Sequence, residues 1–122
     1  MFVEHRRPRD PSEIELRLLR PGDRIVIGTK NTRYELEWHG DGKGILTTDR
    51  ADRPWGPVTV AGCAFRRSGA LARDVLFSGG KMEYVSTDGQ VRHRTTTITT
   101  LKVVPARDQD NQSAPVHSDA AR

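Results

Sequence analysis

The sequence has few of the residues that build disulfide frameworks, metal centres and membrane spans. Its 122 residues include one cysteine, Cys63, so no intramolecular disulfide can form and no cysteine pair suggests zinc. No stretch approaches the roughly 18 consecutive apolar residues of a membrane-spanning helix. Residues 1–7 are basic but no apolar run follows them, so they do not predict a signal peptide. These absences predict a soluble, cytoplasmic protein with no membrane partner.

Apolar and aromatic residues are scarce as well. Hydrophobic residues make up 34% of the chain and aromatic residues 6%, against 30% charged residues. A chain of this length forms one domain, and a domain of roughly ninety residues buries only about two-thirds of the surface that its unfolded chain exposes. Such a small core leaves little room for an enclosed catalytic cleft. We therefore expect a binding module without a cofactor, and not an enzyme.

Arginine dominates the charge that is present. Lys and Arg number 20 against 16 Asp and Glu, which gives a formal net charge of +4, and sixteen of the twenty basic residues are arginines. Arginine binds phosphate and carboxylate groups through two parallel hydrogen bonds, so this excess is consistent with a polyanionic partner. The competing interpretation is a GC-rich bacterial genome that encodes arginine wherever lysine would serve.

The composition changes near both ends of the chain. Residues 1–11 contain three arginines and two prolines, and small polar residues dominate from Pro105 onward. Segments with so few apolar groups cannot repay the conformational entropy that ordering costs. The sequence therefore predicts a disordered arm over residues 1–11, one domain over residues 12–104 and a disordered tail over residues 105–122.

The central segment carries the turn and strand signals of an all-β protein. Pro-Gly-Asp at 21–23 predicts a turn, and Tyr34, Leu36 and Trp38 alternate with charged residues, as in a strand with one buried face. The glycine-rich residues 39–44 lead into another strand pattern and not into the helix of a phosphate-binding loop, so they predict a hairpin connection.

The flanking segments are consistent with more strands of the same kind. Residues 12–20 fit either a short helix, from the capping-box spacing of Ser12 and Glu15, or a strand, from alternating apolar residues, which we favour. The next segments predict a strand over 58–65, with Cys63 on the face opposite Val58, and then a basic loop over 66–73. Short strands are predicted over 74–77 and 81–87, followed by an Asp-Gly hairpin turn at 88–89. A threonine-rich strand over 91–104 comes after this turn, with a bulge between Ile98 and Leu101.

Roughly seven short strands joined by glycine-rich turns predict an all-β fold, specifically a small antiparallel β-barrel or sandwich. The pattern from LRPGDRIVI through NTRYELEW, GILTT, VTVAGCAF and TTTITTL resembles small bacterial β-barrel domains of the SH3-like and OB-like kinds. The resemblance covers about residues 18–103 and rests on the spacing of turns and apolar residues. It implies a fold and transfers no catalytic residue to this chain.

No catalytic or metal-binding set stands out. Cys63 with His93 and an aspartate could form a nucleophilic triad, but its apolar strand is typical of a buried structural thiol. The carboxylates of Glu35, Glu37 and Glu83 occupy solvent-facing strand positions, where pairing with arginine across strands is expected. Four histidines lack ligand spacing and predict no metal site, namely His5, His39, His93 and His117.

The arginines form the one pattern that indicates a function. Small β-barrels with arginines on adjacent loops and exposed aromatic rings bind single-stranded nucleic acid. Further basic residues and one aromatic residue lie in the long loop of residues 49–57, including Arg50, Arg53 and Trp55. The predicted polyanion site consists of Arg66, Arg67, Arg73, Arg92 and Arg94.

Two functions remain open on this basis. The first is a non-enzymatic module that binds nucleic acid or another protein through its arginines. The alternative is a small-ligand or regulatory barrel in which the loop around Trp55 covers a pocket. Ordinary surface charge, balanced by nearby aspartates, would produce the same arginine pattern without a function.

Overall fold

The computed structural model describes residues 12–50, 56–86 and 92–106. Every strand pairing in these ranges is antiparallel, so the prediction of an all-β fold is confirmed. The ranges hold ten strands instead of about seven, because four of them are only three residues long. The strands are β1 (Glu13–Glu15), β2 (Arg24–Thr29), β3 (Arg33–Gly40), β4 (Lys43–Thr48), β5 (Gly56–Ala64), β6 (Leu71–Arg73), β7 (Val75–Phe77), β8 (Lys81–Ser86), β9 (Arg92–Arg94) and β10 (Ile98–Val104).

The strands form one large curved sheet and one small one. The large sheet has eight strands in the order β10-β2-β3-β4-β5-β8-β9, with β6 also paired to β5, while β1 and β7 form the small sheet. The two ends of the large sheet, β9 and β10, are consecutive in the chain, and Ile98 exchanges two backbone hydrogen bonds of 2.8 Å with Gly79 and Gly80. The sheet therefore wraps around its core as an open barrel.

The first hairpin sets the register of the core. Tyr34, Leu36 and Trp38 are at most 3% exposed, which confirms the predicted buried face of β3. The connection from β3 to β4 is a tight turn in which Asp41 and Gly42 have φ of 54° and 77°, the left-handed pair typical of a type I′ hairpin. The interpretation of the glycine-rich segment as a hairpin connection is thus confirmed.

A bulge in β5 changes which residues face the core. The register between β5 and β8 shifts between Val60 and Gly62, so Ala61 is an extra residue in the strand. Because of that extra residue, Cys63 lies opposite Met82 in the core, and the predicted placement of Cys63 on the face opposite Val58 is wrong. The alternation of side chains along a strand does not reveal from the sequence where one extra residue is inserted.

Other segments differ from their predictions by a few residues. Residues 12–20 contain the strand β1 and then a 3-10 turn at Leu16–Leu18, so the alternation and the helical signal each describe half of the segment. The predicted basic loop 66–73 is shorter, because Leu71–Arg73 pairs with β5 as β6. The threonine-rich strand is divided into β9 and β10, and the bulge predicted after Ile98 is confirmed by a register shift between Ile98 and Thr100.

The Pro-Gly-Asp turn joins the two ends of the described domain. The buried carboxylate of Asp23 accepts hydrogen bonds from the backbone N–H groups of Arg20, at 2.9 Å, and Ala106, at 3.0 Å. The predicted arm over residues 1–11, the Asp-Gly turn at 88–89 and all of the predicted tail over residues 105–122 except Pro105 and Ala106 lie outside the described residues. No helix within the described ranges is long and apolar enough to cross a membrane.

Candidate polyanion-binding surface

The connection from β5 to β6 is a short, well-fixed hairpin loop. The backbone N–H of Phe65 donates to the carbonyl of Ala70 at 2.9 Å, and the N–H of Gly69 donates back to the carbonyl of Phe65 at 2.9 Å. Gly69 has φ of 74°, which a glycine adopts without steric cost. Every residue from 65 to 70 is exposed. The loop therefore presents its side chains to solvent on a backbone that is already ordered.

Phe65 gives this loop an exposed aromatic ring. It is 49% exposed, whereas the aromatic residues of β3 and β8 lie in the core. Its ring lies 5.0 Å from that of Phe77, with 32° between the ring planes. Phe77 in turn lies over Gly80, where any Cβ would collide with the Phe77 ring. Phe65 thus rests on a supported partner and leaves much of its surface to solvent, which the sequence analysis did not anticipate.

Three of the five predicted arginines lie in the same hairpin as this ring. Arg66 and Arg67 lie at the loop tip and Arg73 at the end of β6, and all three are exposed. They form no ion pair within the described part of the chain. Their charges are therefore available to a ligand.

The other two arginines share one buried carboxylate. Arg94 donates from Nε and Nη2 to Oε1 of Glu83, at 3.2 and 2.6 Å, and Nη1 of Arg92 lies 3.5 Å from Oε2. Glu83 is only 3% exposed, so its predicted solvent-facing position is wrong, whereas the predicted pairing with arginine across strands is confirmed. The burial follows from the glycine beside it: Gly62 of β5 pairs with Glu83 and carries no side chain.

The sheet register relates the two groups of arginines. Arg73, Gly62, Glu83 and Arg94 stand in one row across four strands. Adjacent strands lie about 4.8 Å apart, so the Cα atoms of Arg73 and Arg94 are separated by roughly 14 Å. The loop tip with Arg66 lies beyond β5, roughly 13 Å along the strand from this row. Arg66 and Arg67 therefore lie at the loop tip next to Phe65, whereas Arg73 lies two strands from Glu83, in the row that also contains Arg94.

Removing Arg94 should destabilise the fold measurably. The variant Arg94→Ala is expected to lose about 2–3 kcal/mol of unfolding free energy, because the buried carboxylate of Glu83 then keeps only the longer contact with Arg92. Arg66→Ala, which removes an exposed arginine without an ion pair, should change stability by less than about 0.5 kcal/mol. Urea denaturation of both variants measures the difference in unfolding free energy. Equal stabilities would show that the Glu83 cluster, which comprises Glu83, Arg92 and Arg94, does not stabilise the fold.

The remaining candidate residues do not assemble a reactive centre. Cys63 is fully buried, and burial raises the pKa of its thiol to about 11, so the thiol stays protonated at neutral pH. His93 stacks on Tyr84, with ring centroids 5.3 Å apart, and pairs with that residue and not with Cys63. The described residues contain no group of three or more metal-ligating side chains. Arg53 and Trp55, and with them the proposed lid, lie outside the described ranges.

Comparison with known proteins adds no assignment. No family model, curated protein or solved structure matches this chain.

Proposed function

We propose that this chain is a non-enzymatic binding module that holds single-stranded nucleic acid on the Phe65 surface, which comprises Phe65, Arg66, Arg67 and Arg73. The observation that carries the proposal is an exposed aromatic ring next to arginines without ion pairs. A base stacked on an aromatic side chain contributes about 1–3 kcal/mol, and neighbouring guanidinium groups bind the phosphates. The Phe65 surface supplies both kinds of contact within one hairpin.

The loop backbone supports this function because it is ordered before any ligand arrives. Hydrogen bonds between Phe65, Gly69 and Ala70 fix the loop, and the Phe77 ring supports Phe65 from below. Binding to a preorganised surface avoids much of the entropy cost of ordering a flexible one. A small interface with few contacts can then bind a strand measurably at low salt.

The Glu83 cluster has a secondary role in this proposal. Arg92 and Arg94 together carry two positive charges, and the buried carboxylate between them cancels one. Their side chains are still 73% and 43% exposed, so they add a weaker attraction for a strand that extends from Arg73 across the sheet. A protonated, buried Cys63 supplies no nucleophile, which favours binding over catalysis. We place this activity in the cytoplasm, where a lone cysteine stays reduced.

Fluorescence anisotropy with a labelled oligothymidylate at about 50 mM salt tests the proposal. We expect saturable binding whose log–log salt slope is about −2, since each of three phosphate contacts contributes roughly −0.7 on a single strand. Phe65→Ala should weaken binding about tenfold through loss of stacking. The triple variant R66E/R67E/R73E should abolish binding.

A second triple variant separates local contacts from overall charge. Lys30, Lys43 and Lys102 are exposed and lie outside the Phe65 surface, so K30E/K43E/K102E changes the net charge by the same amount. It should weaken binding much less than the arginine variant does. Absence of binding to the wild-type chain, or equal losses in the two triple variants, would reject a nucleic-acid site at Phe65.

A further inference from the structure

A groove with a volume of about 440 Å³ lies on another part of the molecule. It runs between the 3-10 turn at Leu16–Leu18, the tip of the β3–β4 hairpin and the middle of β5. Its lining is mixed: Asp41, Thr59 and Asp74 are polar, Leu19 is a half-buried apolar residue, and Leu16, Trp38 and Val60 are almost fully buried. Pockets for small molecules typically measure about 300–1,000 Å³. The groove is therefore large enough for one small organic ligand.

The bulge in β5 brings two aspartates to this groove from separate turns. Val60 donates its backbone N–H to the carbonyl of Gly42 at 2.8 Å, which holds the turn that contains Asp41. Asp74 donates its own N–H to the carbonyl of Ala61 at 3.1 Å. Two consecutive residues of the bulge thus anchor both acidic turns, and Asp41 and Asp74 both line the groove.

The lining of the groove carries the two carboxylates of Asp41 and Asp74 against the one guanidinium of Arg17, so its net charge is negative. Neither Asp41 nor Asp74 forms a side-chain hydrogen bond or an ion pair in the described part of the chain. The cation at the rim, Arg17, is already paired with Glu15 at 3.4 Å. Two free carboxylates beside the half-buried side chain of Leu19 are complementary to a small ligand that has a cationic group and an apolar part.

We propose that this groove, lined by Leu16, Trp38, Val60, Asp41 and Asp74, binds a small organic cation. The ligand class is an amine or amidine that is protonated at neutral pH and attached to a flat or short apolar group. The apolar part lies against the half-buried side chain of Leu19, and the cationic part is bound by the carboxylates of Asp41 and Asp74. The groove shares no residue with the Phe65 surface, although Asp74 directly follows Arg73 in the chain.

Three probes of nearly equal size and different charge test the proposal on the full-length chain. Benzamidine is a cation, benzamide is neutral and benzoate is an anion. We expect benzamidine to cause saturable changes in the amide NMR signals of Gly40, Gly42 and Thr59 and in the indole signal of Trp38. Benzamide should bind about tenfold more weakly, because it lacks the charge-assisted hydrogen bonds. Benzoate should not bind.

The matched variants keep the backbone and change only the charge. Asn tolerates left-handed conformations as Asp does, so D41N/D74N preserves the turns at φ of 54° and 61°. This double variant should lose at least about tenfold in benzamidine affinity. The control Glu13→Gln removes an exposed carboxylate outside the groove and should bind as the wild type does.

Any of four results would overturn the assignment. The first is a lack of saturable signal changes with benzamidine, and the second is equal affinity for benzamidine and benzoate. The third is a set of groove signals that shift with protein concentration alone, which would show that a second copy of the chain fills the groove. Unchanged benzamidine affinity in D41N/D74N would also overturn it, because the two carboxylates would then not contact the ligand.

Discussion

Trp38→Ala is expected to lower the free energy of unfolding by about 3–5 kcal/mol. Trp38 is 3% exposed on β3, which lies between β2 and β4 in the centre of the large sheet. Its backbone is fixed by hydrogen bonds to Gly22, at 2.7 Å, and to Asp23, at 2.8 Å. The neighbouring strands therefore cannot move in to fill the space that the indole leaves, and a large cavity remains.

Leu18→Ala is the matched control for this variant. Leu18 is an apolar residue that is 80% exposed, so its truncation should change stability by less than about 0.5 kcal/mol. Urea denaturation followed by circular dichroism measures both variants. A Trp38→Ala protein that unfolds at the same urea concentration as Leu18→Ala would contradict the strand register given for β3.

Gly62→Ala is expected to cost about 2–5 kcal/mol, since two separate penalties add. Gly62 has φ of 146°, a backbone region that residues with a side chain rarely adopt. An added Cβ would collide with the carbonyl oxygen of Ala72 and lie 3.0 Å from the Cα of Arg73. These are backbone atoms of a paired strand, so they cannot move aside as the end of a flexible side chain could.

Gly79→Ala is the control that separates the cost of a positive φ from the cost of a steric collision. Gly79 also has positive φ, at 96°, but an added Cβ there meets no atom within 4 Å. It should therefore cost only about 1–2 kcal/mol. Thermal or urea unfolding of the two variants gives the comparison. If Gly79→Ala is as unstable as Gly62→Ala, the close approach of β6 to β5 has no energetic importance.

The sequence predicted those parts of the fold that depend on local patterns. The period-two alternation of Tyr34, Leu36 and Trp38 gave the buried face of β3, and the glycine-rich segment gave the hairpin that follows it. Both signals come from residues that are close in the chain. The side-chain period and the backbone preference of glycine determine them without help from tertiary contacts.

The parts that were not predicted depend on contacts between distant residues. The bulge at Ala61 moves Cys63 to the core face, and it arises from the pairing of β5 with β8. The burial of Glu83 requires Gly62 on one neighbouring strand and Arg94 on the other. The exposure of Phe65 depends on where β5 ends and on the support of Phe77. None of these relations leaves a periodic signal in one segment.

The arginines of the candidate surface were also predicted only in part. Composition and loop position were sufficient to select Arg66, Arg67 and Arg73 as candidates, and the structure leaves all three exposed. They were not sufficient to separate these residues from Arg92 and Arg94, which are bound to Glu83. Whether an arginine is available to a ligand depends on the carboxylate across the strand, and sequence spacing does not contain that information.

The pairing of β10 with β2 affects how this protein must be synthesised. Val104 pairs with Arg24, which the ribosome adds 80 residues earlier. At about 5–20 residues per second, roughly 4–16 seconds pass between the synthesis of the two partners. During that time the edge of β2, with Ile25 and Ile27, has no neighbour on that side and is a template for aggregation. The 30% of charged residues in the chain disfavour such aggregation until β10 emerges and covers this edge of β2.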